Sequence, residues 1–276
     1  MEGTVVSDWS PAMTRRAFVV ASACLGASAL MGCGSSGSSP ATVEAPSSPY
    51  DWSGLVREGE KLSYYEDDQL RSRWGIDVSE HQGSDIDWSA VADAGVQFVF
   101  VRVGNRGATE GALGTDERFQ QNATGAAEAA LEVGAYFFSQ ALTEDEAREE
   151  ANFTVARLSE AESAGVEFTY VAYDHEVVDI EGARANDLSS EQFTANAAAF
   201  CDVIARAGYK PMLYGNPLDL SRLSADIRSK YPVWYAEYGV DVPTLPLDFA
   251  IWQYSNTGTV PGIPTDVDLN IWFETK

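Results

Sequence analysis

The sequence is poor in positive charge. It contains 18 Lys and Arg residues against 42 Asp and Glu, which gives a formal charge of −24 and a pI near 4.2. Proteins that bind nucleic acid need clustered Lys and Arg to neutralise phosphates, so the composition excludes nucleic acid as a partner. The same acidic excess disfavours unaided adhesion to anionic surfaces.

Histidine and cysteine are also scarce. The two histidines, His81 and His175, do not form an HxxH or HExxH motif, which argues against a zinc site. The sequence also lacks a GxSxG motif and a Gly-rich phosphate loop, so we expect neither a metal nor a cofactor. Of the three cysteines, Cys201 lies in an apolar helical stretch and is predicted to be a small buried side chain rather than a nucleophile.

Residues 1–33 are typical of an export signal. Arg15 and Arg16 precede an apolar stretch of about fifteen residues, which is too short to span a membrane. The segment "TRRAF" resembles a twin-arginine signal, and "LMGC" resembles a bacterial lipobox that would place a lipid on Cys33. The alternative is an ordinary signal peptide that is cleaved nearby. If Cys33 carries lipid, Cys201 is left alone and no intramolecular disulfide can form.

Residues 34–72 are predicted to be a flexible tether and an N-terminal extension. The stretch 34–50 is rich in Gly, Ser and Pro, as flexible linkers are. The following residues, 51–72, are mostly polar and are expected to pack loosely on the domain after them.

Residues 73–276 are predicted to form one α/β domain. Apolar strands alternate with amphipathic helices, a pattern that produces right-handed βαβ units and a parallel sheet. The pairs Thr143/Glu146 and Ser189/Gln192 have capping-box spacing, and Gly208 marks a helix end. About eight strands are present, enough to close an irregular TIM-like (β/α) barrel whose last strands lack regular helices.

Two acidic residues follow the apolar run "FTYVAY". Asp174 and Glu176 flank His175, and alternation along a strand puts both carboxylates on one side, about 6.6 Å apart along the backbone. A carboxylate pair suits cleavage of a glycosidic bond, where one group protonates the leaving oxygen and the other stabilises or attacks the sugar. Taken alone, the pattern more often marks a solvated strand end.

The pair has informative neighbours along the chain. Five blocks occur in order: "WGIDVSEHQGSDIDW" (74–88), "GAYFFSQ" (134–140), "YDHE" (173–176), "IWQYSNTG" (251–258) and "DVDLNIW" (266–272). Together they resemble the family 25 glycoside hydrolases, the lysozymes that cleave β-1,4 bonds after N-acetylmuramic acid in peptidoglycan. The resemblance runs from about Arg73 to Lys276.

The resemblance implies roles for four acidic residues. Glu176 is expected to be the general acid, with Asp77, Asp174 and Asp268 in the same site. Asp174 either attacks the anomeric carbon or supports the substrate's own 2-acetamido group as nucleophile, and the resemblance favours the second route with net retention. Without the resemblance, Asp77 would be interpreted as a cap or turn residue and Asp268 as a hairpin residue.

Four further residues are candidates for substrate binding. Tyr136 and Tyr214 are expected to face the sugar rings, and Trp234 and Gln253 are weaker candidates.

Two positions depart from the family pattern. His175 occupies a position where relatives carry an aromatic residue, and it is predicted to pack behind the site. Phe137 occupies a position where many members have His, so substrate contact or pH response is expected to differ there.

The sequence therefore predicts an exported, lipid-anchored and monomeric muramidase whose partners are peptidoglycan strands and the membrane. One alternative is a glycan-binding lipoprotein that kept the barrel and lost turnover. The other is a chitinase-like hydrolase on a related barrel, although the "GIDVS..QG" and "WQY" blocks favour the muramidase.

Overall fold

The computed structural model describes residues 48–274, and these belong to one compact unit. The predicted export signal, Cys33 and most of the predicted tether lie outside the described residues. No helix between residues 48 and 274 is long and apolar enough to cross a membrane.

Eight strands close into a barrel. The strands are β4 (Ser72–Val78), β5 (Phe98–Arg106), β7 (Glu132–Phe138), β8 (Phe168–Asp174), β9 (Lys210–Gly215), β10 (Val233–Ala236), β11 (Ile251–Gly258) and β12 (Val267–Phe273). The first seven run parallel in this order, and β12 returns antiparallel between β11 and β4. A pairing of β4 with β5 completes the ring, and β6 (Leu113–Thr115) adds to β5 outside it. The predicted irregular barrel is confirmed.

Within the described part of the chain, six α-helices surround the barrel: α1 (Trp88–Asp93), α2 (Phe119–Glu128), α3 (Glu144–Glu162), α4 (Ser190–Arg206), α5 (Pro217–Arg222) and α6 (Ala225–Lys230). No helix separates β10 from β11 or β11 from β12, as the short spacing of the apolar runs predicted. Thr143 caps α3 by accepting from the Glu146 N–H group at 3.3 Å. The return bond of a capping box is absent there, because the Glu146 carboxylate accepts from the Leu142 N–H group instead.

The barrel interior follows from the two-residue period of the strands. Interior side chains are mainly aromatic: Phe98, Phe100, Tyr136, Tyr214, Trp234 and Trp272 form one buried cluster with Ala172, Met212, Ala236 and Ile251. Their neighbours along each strand point outward and pack against the helices. Cys201 on α4 belongs to this outer layer and is fully buried, and burial raises the pKa of its thiol. Its prediction as a small buried side chain is confirmed.

Arg73 closes the end of the barrel where the parallel strands begin. Its guanidinium lies 4.5 Å from the centre of the Trp272 ring and forms ion pairs with Glu132 and Glu274. Gly75 is needed beside it, because a Cβ atom there would come within 2.4 Å of the Phe98 ring. This end of the barrel, called the base below, is thus filled by rings and neutralised charge.

The N-terminal extension packs more closely than expected. Its strands β1 (Leu55–Glu58), β2 (Lys61–Glu66) and β3 (Gln69–Leu70) form a separate antiparallel sheet. Leu62 and Tyr64 in the extension are each more than 90% buried. So is Tyr50, the last residue of the predicted tether, whose ring lies 4.2 Å from that of Phe273, so the tether prediction is wrong at this residue. The Tyr50 hydroxyl also donates to the carbonyl of Phe249. These contacts make the extension part of the hydrophobic core.

Candidate active site

Polar side chains collect at the other end of the barrel, where the parallel strands finish. This end is called the mouth below. On β4, Asp77 lies two residues after Gly75 and therefore also faces the interior. Because β12 runs antiparallel to β4, its first residues reach the same end, and Asp268 is the direct partner of Asp77. The two carboxylates predicted from distant blocks are thus neighbours across one strand pair.

Asp77 is held by two side-chain amides. Its Oδ2 atom accepts from Gln253 Nε2 at 2.6 Å and from Asn270 Nδ2 at 2.9 Å. Asn270 is oriented in turn by the Trp234 indole, whose Nε1 donates to its Oδ1 atom at 2.8 Å. These groups are all buried, so the Asp77 carboxylate has one defined orientation.

Gln253 connects Asp77 to two tyrosines. Its Oε1 atom accepts from the hydroxyl of Tyr214 at 2.8 Å and from that of Tyr238 at 2.5 Å. Because an ionised carboxylate only accepts, the end of Gln253 that faces Asp77 is the amide nitrogen, and the carbonyl oxygen faces the two hydroxyls. The network fixes which end of Gln253 meets the carboxylate.

The second carboxylate pair lies at the end of β8. Asp174 is the last residue of the strand, two residues beyond the interior residue Ala172, and it is 4% exposed. Glu176 lies just past the strand and is half-buried. Both predicted acids are thus at the mouth, one within the barrel and one at its rim.

His175 turns away from the mouth, as predicted. It is fully buried, and its ring lies 4.9 Å from that of Phe193 on α4. Nδ1 lies 3.1 Å from the Ser139 carbonyl, which makes Nδ1 the protonated nitrogen. Burial lowers the His175 pKa to about 4, so the ring is neutral at neutral pH.

The predicted aromatic residues lie at two depths. Tyr136 and Tyr214 are 7% and 6% exposed, whereas Trp234 and Gln253 are each 1% exposed. The Trp234 ring contacts Tyr214 at 4.9 Å and Tyr136 at 6.1 Å, edge to face. Trp234 and Gln253 therefore lie beneath the mouth and support the residues above them.

Phe137 does not approach this site, which corrects the expectation that it alters substrate contact. Its side chain is fully buried on the outer face of β7, 6.0 Å from the ring of Phe153 and 6.4 Å from that of Phe200. Tyr136 next to it faces the interior, and alternation turns Phe137 toward the helices.

The sequence interpretation missed three residues at the mouth. Asn270 and Tyr238 bind Asp77 and Gln253 as described above, and Arg102 on β5 pairs with Glu80 at 2.9 Å and Asp116 at 2.8 Å. The sequence carries a signal for two of them: Arg102 interrupts the apolar run "FVFVRVG", and Asn270 lies two residues after Asp268. Tyr238 lies in a loop, and no local pattern marks it.

The chemistry of this arrangement suits acid catalysis on a carbohydrate. Carboxylates face an interior lined by tyrosine rings, which present apolar surfaces on which sugar rings stack. Within residues 48–274, no group of three or more His, Cys, Asp and Glu side chains could hold a metal ion. An α/β barrel with carboxylates at the carboxyl ends of its strands is the architecture of many glycoside hydrolases.

Comparison with known proteins identifies the family. The model of the glycosyl hydrolases family 25 matches residues 76–263, and the chain belongs to this family. It is 34% identical over 211 residues to Lysozyme M1 of Streptomyces globisporus and 28% identical over 202 residues to the autolytic lysozyme of Clostridium acetobutylicum. These matches cover 71% and 72% of this chain but 66% and 56% of the relatives, so the chain spans less than two thirds of their length.

A solved structure supports the same relationship. The bacterial lysozyme from Streptomyces coelicolor superposes with a TM-score of 0.59 at 28% identity. The superposition covers 74% of this chain and 93% of that chain. The barrel therefore resembles that of a lysozyme over almost the whole of that molecule.

Proposed function

We propose that the protein is an exported muramidase that hydrolyses β-1,4 bonds between N-acetylmuramic acid and N-acetylglucosamine in peptidoglycan. One observation carries the proposal: Asp174 and Glu176 lie at the mouth of a family 25 barrel whose interior also presents Asp77 and Asp268. Two relatives named as lysozymes supply the substrate class.

Glu176 is the proposed general acid. It is half-buried at the rim, two residues after the buried Asp174, where it can reach a leaving oxygen from the edge of the barrel. Asp174 lies deeper, where it can orient the substrate's 2-acetamido group and stabilise the positive charge that develops as this group attacks the anomeric carbon. Tyr136 and Tyr214 would contact the sugar rings, and Trp234 and Gln253 would hold Asp77 and the tyrosines in place.

Replacing Glu176 by Gln tests the acid. The amide is isosteric but cannot supply the proton, so turnover should fall on the order of 10²–10⁴-fold while glycan binding persists. Glu132→Gln is the matched control, because it makes the same change at the base and should leave turnover within about 2-fold. Equal turnover in Glu176→Gln and wild type would end the assignment.

The role of Asp174 can be tested through the substrate. If the acetamido group is the nucleophile, a glycan whose muramic acid lacks its N-acetyl group should resist cleavage. Direct attack by Asp174 would leave such a glycan as a substrate. Product anomers measured by NMR should show net retention by either route, so the glycan comparison is the deciding experiment.

The lipid anchor is a further part of the proposal. The −24 charge provides no attraction to an anionic cell wall, whereas acyl chains on Cys33 would hold the protein at the membrane. Wild type should fractionate with membranes, and Cys33→Ala should release it, with Cys24→Ala as the control that stays bound. Membrane association that survives loss of Cys33 would refute the anchor.

A further inference from the structure

Ser139 and Gln140, which directly follow β7, form hydrogen bonds with the segment Asp174–Glu176 that carries the proposed acid. The Ser139 N–H group donates to the Asp174 carbonyl at 2.6 Å, and His175 Nδ1 donates to the Ser139 carbonyl at 3.1 Å. Gln140 Nε2 donates to the Glu176 carbonyl at 3.0 Å. The Ser139–Gln140 dipeptide thus bonds to Asp174, His175 and Glu176 in turn.

The dipeptide is itself fixed by a buried carboxylate on α3. Glu150 Oε2 accepts from the Ser139 hydroxyl at 2.6 Å, and Oε1 accepts from the Gln140 N–H group at 3.3 Å. Arg106 Nε donates to the same Oε1 atom at 2.8 Å, and burial raises the pKa of Glu150 to about 7 in spite of this partner. Glu150, Ser139 and Gln140 are fully buried, so this support is rigid and shielded from water.

Gln140 bears directly on Glu176. The β8 ladder ends at Asp174, so the sheet no longer sets the backbone position of Glu176. Beyond the strand end, the Gln140 amide fixes the backbone by its hydrogen bond to the Glu176 carbonyl. Its other atom, Oε1, is buried without a hydrogen-bond partner. The Gln140 amide is thus oriented so that its nitrogen binds the Glu176 carbonyl, although its oxygen is left without a hydrogen bond.

We propose that Gln140 is a positioning residue that holds Glu176 at proton-transfer distance from the leaving oxygen. This inference rests on the proposed role of Glu176 as general acid. Small displacements of a catalytic group are costly, and about 1 Å reduces the rate on the order of 10²-fold. Gln140 does not touch the reacting atoms, so its loss should lower kcat and leave KM almost unchanged.

Gln140→Met is the test, made in the full-length chain. Methionine keeps the length of the side chain and cannot donate. We expect kcat on peptidoglycan glycan to fall about 10- to 100-fold, with KM within about 2-fold of wild type. On an aryl glycoside with a dinitrophenolate leaving group, which departs without a proton, we expect less than about 3-fold loss.

Asn196→Leu is the matched control. Asn196 is also fully buried, and its Nδ2 atom donates to the carbonyl of Ala141, the residue after Gln140, at 2.8 Å. The Asn196→Leu variant also removes a hydrogen bond from a side-chain amide to a backbone carbonyl, but this bond does not involve Glu176. Its Tm should fall at least as far as that of Gln140→Met, while kcat on glycan stays within about 2-fold of wild type.

The outcomes separate the two proposals. Both proposals are supported if Glu176→Gln and Gln140→Met each lose kcat on glycan but keep most of their kcat on the aryl glycoside. The positioning role is overturned, and the acid assignment stands, if only Glu176→Gln loses kcat selectively on glycan. In that case Gln140→Met either behaves like Asn196→Leu or loses kcat equally on glycan and on the aryl glycoside. Unchanged glycan turnover in Glu176→Gln overturns both. If Gln140→Met does not fold, Gln140→Leu, which also cannot donate, carries the same prediction.

Discussion

The base and the mouth of the barrel both contain acidic residues, but the partners of these residues differ. At the base, Glu132 and Glu274 pair with Arg73, which lies over the Trp272 ring. At the mouth, Asp77 is bonded by the neutral amides of Gln253 and Asn270. Arg102 also lies toward the mouth, and its own ion pairs are with Glu80 and Asp116.

In the proposed muramidase, this difference separates stability from chemistry. An arginine neutralises a carboxylate and ties strand ends together, which suits the base. An amide orients a carboxylate without itself supplying positive charge, which suits a site where a sugar becomes cationic in the transition state. Three predictions test this contrast, from the largest expected effect to the smallest.

Asp77→Asn should show the largest effect. The variant removes one charge from the mouth. Its amide oxygen can take the place of Oδ2 and accept from Gln253 and Asn270, but both hydrogen bonds then lose their charge assistance. We expect turnover to fall on the order of 10²-fold, together with a loss of about 1–3 kcal/mol in the free energy of unfolding. Steady-state kinetics and urea unfolding measure the two effects. Turnover as high as that of Glu132→Gln would remove the distinction between the two ends.

His175 extends the contrast to the end of β8, where Asp174 faces the barrel interior and His175, the next residue, packs against α4. Burial lowers the His175 pKa to about 4 from an ordinary value of 6.5, so unfolded chains bind a proton first as the pH falls. The stability that this group contributes is complete above pH 6.5 and is lost as the pH drops toward 4. Between pH 7 and pH 4.5, wild type should lose about 2 kcal/mol more than His175→Phe.

Unfolding by urea at the two pH values measures this difference. Comparing each protein with itself removes the constant cost of the lost bond to Ser139. Parallel losses in wild type and His175→Phe would show that His175 does not titrate in the folded protein as described.

Arg73→Met should show the smallest effect on activity. The variant leaves Glu132 and Glu274 without their arginine, and both carboxylates are partly exposed to water. We expect a loss of about 1 kcal/mol in the free energy of unfolding and turnover within about 2-fold of wild type. A drop in kcat near that of Asp77→Asn would mean that the base contributes to catalysis.

Local patterns in the sequence predicted the barrel and the Asp174/Glu176 pair, whereas the family resemblance was needed to put Asp77 and Asp268 in the same site. A period of two residues along a strand is enough to place Asp174 on the inside and His175 on the outside, and the same rule covers Asp77. Asn270 follows the same period from Asp268, so it could have been found.

Other features depend on contacts between distant parts of the chain. Tyr50 packs on Phe273 and Phe249, about 200 residues away, and no local signal in a polar extension reveals this. The bonds from Ser139 and Gln140 to the acid-bearing segment likewise appear only once β7 and β8 are adjacent. Trp234 lies deeper in the barrel than Tyr214, and this difference depends on closure of the barrel and not on the pattern of any one strand.

Analysis of new reducing ends is the most direct test of the account. Full-length wild type and Glu176→Gln are incubated with peptidoglycan of defined structure, and the new ends are identified by reduction and mass spectrometry. We expect wild type to produce ends that carry N-acetylmuramic acid and Glu176→Gln to produce almost none. Ends that carry N-acetylglucosamine, or glycan that is bound but left intact by wild type, would contradict it.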